Sequence, residues 1–223
     1  METTKTESVI GYKAFNNDMT CENDFQYEVG KTYTMDDEIE LCKSGFHFCM
    51  VPFEVLDYYD KYSKFAIIKA SGKIIHDYDK SVCSCITIEK LISLDELCNF
   101  NGKFVRINNT IEYYQNGKYH RDNGPAIEYA NGAKEWWKNG DLHREDGPAI
   151  ERANGEKEWR KNGLLHREDG PAIEFANGDK EWYIKGYLHR EDGPAIERAN
   201  GDKEWYKNGE FHREDDPAID YAD

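Results

Sequence analysis

Between residues 108 and 223 the apolar positions come in ones and twos between polar pairs, and the arrangement recurs every 23 residues. An aromatic anchor falls at Tyr113, Trp136, Trp159, Trp182 and Trp205, and a proline at Pro125, Pro148, Pro171, Pro194 and Pro217. A fixed period of this length marks an array whose units bury their apolar faces only against their neighbours. The stretches between turn signals run to about five residues, the length of short strands. A proline inside each unit also interrupts any continuous helix. Asn131-Gly132, Asn139-Gly140 and Asp146-Gly147-Pro148, with their copies, supply the turns, because Asn and Gly tolerate the positive φ that tight hairpins need. The pattern predicts an antiparallel meander of hairpins.

Charge tests the register. A two-residue loop at Asn131-Gly132 would set Glu128 against Glu135, and Arg152 against Lys157 one unit later. Like charges directly opposite each other are destabilising. A three-residue loop Ala130-Asn131-Gly132 sets Glu128 against Lys134, Arg152 against Glu156 and Arg198 against Asp202, and is preferred. The same rule at Lys138-Asn139-Gly140 puts Trp136 opposite Leu142 and Glu135 opposite His143, with further pairs Trp159–Leu165, Trp182–Leu188 and Trp205–Phe211. A two-residue loop there, pairing Glu135 with Arg144, stays open as the alternative. The acidic run Glu214-Asp215-Asp216 discourages pairing along an exposed edge.

Residues 1–107 lack the period. Strands are expected at Tyr12–Phe15, around Glu40–Cys49, at Phe65–Ala70 and at Ile86–Ile88, with a helix opened by Pro52 and another started near Ser93. The predicted fold class is an α+β N-terminal domain over 1–107, followed by an all-β array of five antiparallel hairpin repeats over 108–223.

Composition narrows the function. Aromatic residues make up 13% of the chain, more than a disordered chain carries. A formal net charge of −15 opposes direct binding to nucleic acid or to anionic membrane, both of which need clustered Lys and Arg. It suits a protein partner with a basic surface. The six cysteines, Cys21, Cys42, Cys49, Cys83, Cys85 and Cys98, all lie in the first domain. With no apolar segment of signal or membrane-spanning type, a cytoplasmic protein with reduced thiols is the expectation.

Five histidines in register, His120, His143, His166, His189 and His212, invite a metal reading, but strand spacing puts successive copies roughly 10 Å apart. One ion with metal–nitrogen bonds near 2 Å cannot bridge them. They are read as five copies of one structural hydrogen bond. Cys42, His47 and Cys49, with Cys83 and Cys85, lack the usual paired spacing of a zinc site. No metal and no cofactor is expected.

The run Glu158-Trp159 through Gly170, of the form Glu-Trp-x-x-Asn-Gly-x-x-His-x-x-x-Gly, resembles the MORN repeat and is closest to the MORN-variant repeats of antitoxin-like and phage proteins. The resemblance implies an elongated, twisted hairpin array used as a binding surface, without catalysis of its own. Here Arg follows each His where Gly is usual, and an Asp-Gly-Pro-Ala turn is added. In the first domain, Gly11-Tyr12-Lys13-Ala14-Phe15, Leu41 to Cys49 and Tyr58-Tyr59 resemble an uncharacterised domain of phage proteins. More remotely, Ser44-Gly45-Phe46-His47-Phe48 with the helix and strand that follow is similar to the core of ADP-ribosyltransferases, although that family's catalytic Glu and NAD-clamping residues have no placed counterpart.

The function expected is a non-enzymatic inhibitor, encoded by a phage or mobile element and acting in the host cytoplasm, whose acidic repeat surface blocks a defence or toxin protein such as a nuclease. The contact residues would be Trp136, Trp137, Trp159, Trp182, Tyr183, Trp205 and Tyr206, with Glu145, Asp146, Glu168, Asp169, Glu191 and Asp192. The alternatives are a transferase in the first domain and a structural scaffold component.

Overall fold

The computed structural model describes residues 8–21, 25–35, 38–60, 63–77, 79–106 and 108–222. Residues 1–7, on which the leader expectation rests, and Ile107, at the expected domain boundary, lie outside them. The chain divides into two compact units, Met1–Ile107 and Asn108–Asp223.

The first unit is an antiparallel sheet of five strands: β1 (Val9–Phe15), β2 (Thr32–Thr34), β3 (Phe46–Phe48), β4 (Lys64–His76) and β5 (Ser81–Ile92). Their order is β1-β4-β5-β2, and β3 also pairs with β5. Side chains alternate between the two faces of a strand, and both faces are covered. Phe15 joins Tyr27, Phe46, Phe48, Ile68, Ile86 and Ile88 in one cluster. Its neighbour Ala14 joins Cys49, Val55, Phe65 and Leu97 in another. That double burial explains the largely apolar runs at Tyr12–Phe15 and Phe65–Ala70, each interrupted by a single lysine, Lys13 and Lys69.

Helix is scarce among the described residues of this unit. Pro52–Asp57 is a 3-10 turn, and α1 (Leu94–Cys98) is five residues long. Ser93 starts α1 through a capping box: its hydroxyl accepts from the Glu96 amide at 3.1 Å, and its own amide donates to the Glu96 carboxylate at 2.8 Å. Strand therefore dominates more than the expected α+β balance. β4 and β5 run well past the expected strands because Gly72, at φ +74, sits in an irregular stretch between Ser71 and Ile74 and lets the ladder resume beyond it.

The second unit repeats one motif. Two-residue strands build a long antiparallel sheet in which Lys134 faces Glu128 on one side and Glu151 on the other. Lys157 faces Glu151 and Glu174, Lys180 faces Glu174 and Glu197, and Lys203 faces Glu197 and Asp220. Opposite charges thus alternate across the strands, the arrangement that favours cross-strand pairing. The next row alternates Ile127, Glu135, Ile150, Glu158, Ile173 and Glu181, and Ile127, Ile150 and Ile196 are buried.

The loop that closes each of these pairs has three residues. Tyr129 and Ala133 are bonded across Ala130-Asn131-Gly132, with Gly132 at φ +88, and Arg152 faces Glu156 in the next copy. The register chosen from charge is the one observed. The second loop differs from the expectation. Lys138 pairs with Asp141 and Trp137 with Leu142, so only Asn139 and Gly140 form the turn. Likewise Leu165 faces Arg160, Leu188 faces Tyr183 and Phe211 faces Tyr206. The expected Trp136–Leu142, Trp159–Leu165, Trp182–Leu188 and Trp205–Phe211 pairs, and Glu135 opposite His143, are therefore corrected: Trp136 faces His143. Both turn residues carry positive φ, +55 at Asn139 and +91 at Gly140, the turn whose twist matches that of paired strands.

Lys185 stands at the Asn139 position of the fourth repeat with φ +52. A residue with a long side chain pays about 1 kcal/mol to occupy that region. Lys185→Asn should therefore raise the unfolding free energy by about 0.5–1 kcal/mol in urea titration, and a neutral or destabilising result would contradict the turn assignment.

Candidate functional site

Within each repeat one arginine joins most of the polar machinery. The Arg144 guanidinium lies 4.0 Å from the centre of the Trp136 ring. Its Nε donates to Asp146 at 2.9 Å, and its Nη1 donates to the Pro148 carbonyl at 3.2 Å and to Glu151 at 3.0 Å. Arg167 over Trp159 and Arg190 over Trp182 repeat these contacts. Arg121 covers Tyr113 and Arg213 covers Trp205. The other side of the cation meets glycine: a Cβ on Gly147 or Gly170 would lie 2.8 Å from the arginine Cζ. Arg144, Arg167 and Arg190 are thus clamped between an indole and the Asp-Gly-Pro loop, whereas Arg121 lies over a tyrosine and Arg213 has Asp216 in place of the glycine. A cation over an indole contributes roughly 0.5–2 kcal/mol, depending on desolvation.

The histidines stand beside these clamps. The Nδ1 of His120, His143, His166 and His189 accepts the backbone N–H of Asn139, Asn162, Lys185 and Asn208 at 3.1–3.2 Å. Each bond reaches the left-handed turn residue of the following repeat, where strand pairing leaves the amide unused. Nε2 faces the carboxylate two residues on, at 3.2 Å in Asp122, 3.0 Å in Glu145, 3.5 Å in Glu168 and 3.3 Å in Glu191. His212 is exposed, and its backbone N–H donates to the Trp205 carbonyl.

The named aromatics are held within the array. Trp136, Trp159, Trp182 and Trp205 are half-buried, each with a ring face taken by arginine. Trp137 donates its indole N–H to Glu135 at 2.9 Å, and the Tyr183 and Tyr206 hydroxyls donate to Glu181 and Glu204 at the same distance. The named carboxylates are different. Glu145, Asp146, Glu168, Asp169, Glu191 and Asp192 have side chains 65–85% exposed, and they recur once per repeat. The sequence reading missed the arginine clamp. Its signal was present, because Arg and the Gly of Asp-Gly-Pro keep the same 23-residue period.

Hydrogen bonds from arginine hold Asp146, Asp169 and Asp192 below the ordinary aspartate range. Glu145 is lowered mainly by Lys161 and then His143, and Glu191 mainly by Lys207.

The first unit concentrates its titratable groups elsewhere. Lys13 is buried, donates to the His47 carbonyl at 2.9 Å and lies 5.6 Å from the Phe15 and Tyr27 rings. Burial pushes the Cys49 and Cys83 thiols up to about 12, which keeps them protonated and weakly nucleophilic. His47 Nε2 accepts the Cys42 amide at 2.9 Å. All six cysteines are free thiols. Among the described residues, no three His, Cys, Asp or Glu side chains gather as a metal would require, and no helix is long and apolar enough to cross a membrane.

Residues 9–99 match the family model described as Domain of unknown function (DUF7666). The match opens at the first residue of β1 and closes at the residue that caps α1. No curated protein matches the chain.

Two outcomes follow from this geometry. Gly170 lies outside the positive-φ region, where Gly→Ala ordinarily stabilises by about 0.4–1 kcal/mol. Here Gly170→Ala should reverse that sign and destabilise by about 1–3 kcal/mol, because its methyl displaces Arg167; a gain in a urea melt would refute the clamp. The lowered carboxylates contribute stability that is complete above their unfolded range near pH 4 and is lost as the pH falls through their still lower folded values. The thermal midpoint should therefore be flat from pH 7 to about pH 5 and drop below about pH 4. Replacing Arg144, Arg167 and Arg190 by Gln should flatten that acid drop.

Proposed function

We propose that the chain is a non-enzymatic protein-binding inhibitor, and that its repeats form a MORN-like array presenting acidic side chains to a partner with a basic surface. The observation that carries this reading is the outward row Glu145-Asp146, Glu168-Asp169 and Glu191-Asp192, exposed and fixed in register by arginine and histidine. Carboxylates pre-positioned at a fixed spacing lose little freedom on binding, which favours affinity and association rate. A basic nucleic-acid groove, as on a nuclease, presents the complementary charge. The phage-protein resemblance of the first domain supports an origin in a phage or mobile element, with a host defence or toxin protein in the cytoplasm as the target.

The test is capture from host lysate by the full chain and by a variant with Gln or Asn at these six positions. The reading expects one stoichiometric basic protein, released by raised salt and absent with the variant. Equal recovery by both proteins, or recovery of none, would overturn it.

A further inference from the structure

Two positions flank each two-residue turn on the solvent side of its hairpin. In the second repeat they are Lys138 and Asp141, and in the fifth Lys207 and Glu210, paired directly across the strands. Opposite charges there form a solvated surface pair. The other repeats depart from that pair: the first sets Gln115 opposite Lys118, the third Leu164 opposite Lys161 and the fourth Ile184 opposite Tyr187. Leu164 is 52% exposed and Tyr187 61%. The positions are contiguous: Leu164 Cδ2 lies 3.5 Å from where a Cβ on Gly186 would stand, and Tyr187 packs against Gly209 in the same way.

The change at 184 also alters the charge beside the patch. From the equivalent position Lys161 reaches Glu145 at 3.4 Å, and Lys207 reaches Glu191 at 2.9 Å. Isoleucine cannot do this for Glu168, which keeps His166 at 3.5 Å and a side chain 84% exposed. Isoleucine at 184 therefore adds to the apolar character beside Tyr187 and leaves the adjoining carboxylate without a lysine. An aromatic and aliphatic centre within a polar rim is the anatomy of a binding hot spot.

We propose that Leu164, Ile184 and Tyr187, with Glu168 at their edge, anchor the docking of a partner protein that presents an apolar side chain flanked by arginine or lysine. This rests on the protein-binding reading above and places its energetic centre at the hairpins of the third and fourth repeats. The apolar side chain would cover Tyr187 and Leu164, while its basic neighbour takes the place at Glu168 that lysine holds in the adjacent repeats.

The experiment pans a displayed library of random peptides against the full chain and measures the selected peptides on three proteins. They are the wild type, a double variant Ile184→Lys with Tyr187→Glu, and an acid-row variant with Glu145→Gln, Asp146→Asn, Glu191→Gln and Asp192→Asn. The double variant restores the pair already present in the fifth repeat, and its thermal melt reports that the array stays folded. Selected peptides should join an aromatic or aliphatic residue to Arg or Lys and lose at least about tenfold in Kd on the double variant. Loss on the acid-row variant alone would overturn the anchor while keeping the acidic-surface reading. Loss on the double variant alone would keep the anchor and sink that reading. Enrichment of acidic peptides, failure to enrich any, or a wild-type dimer that the double variant lacks would each overturn the proposal.

Discussion

The arginine held between an indole and a glycine loop is the contact on which the second unit depends. From Ile127 onward the long sheet is built from strands of two residues, and such strands make too few bonds to hold a sheet by themselves. Arg144, Arg167 and Arg190 each tie the aromatic strand to the loop entering the next strand, through a ring, a carbonyl and two carboxylates. The Arg after each His and the Asp-Gly-Pro-Ala turn are the two halves of this one device. Gly provides the room, and Pro leaves its carbonyl to accept. The buried Ala126, Ala149, Ala172 and Ala195 that follow allow the strands to close beneath.

From that constraint comes a division between faces. Indoles, isoleucines and the histidine bonds are spent within the array, each unit stabilised by its neighbours as in other repeat proteins. What remains outward is chiefly charge. The aromatic residues that drew attention as a contact column have partners inside the fold, whereas the Glu-Asp pairs and the hairpin tips face solvent. Functional variation is thus free to occur at positions that the clamp does not use. Leu164, Ile184 and Tyr187 occupy such positions.

How much of this the sequence disclosed depended on whether local chemistry had one solution. Glu128 and Lys134 settled the first loop because the alternative register set like charges opposite each other. Around Asn139-Gly140 both registers paired favourable residues, so charge could not choose, and the positive φ of both turn residues decided for the tighter turn. In the first unit, apolar runs marked β1 and the start of β4, but the continuation of β4 past Gly72 carries Ser71, Gly72 and Lys73, a stretch with the look of a loop. Thr32–Thr34 is a strand because it pairs with Thr87, Ile86 and Cys85, a long-range contact that three residues do not announce. The exposed carboxylate row follows directly from the repeat, whereas the shared period of Arg and Gly marks the clamp as a recurring feature without placing the guanidinium on the indole.

The clamp is tested most directly by a double-mutant cycle at one central repeat. Trp159→Leu, Arg167→Gln and the double substitution would be measured by urea unfolding of the full chain, and their coupling energy extracted. The account predicts a favourable coupling of about 1–2 kcal/mol between the two side chains. Additive losses, with coupling near zero, would contradict it and leave the array to be explained by its backbone ladder alone.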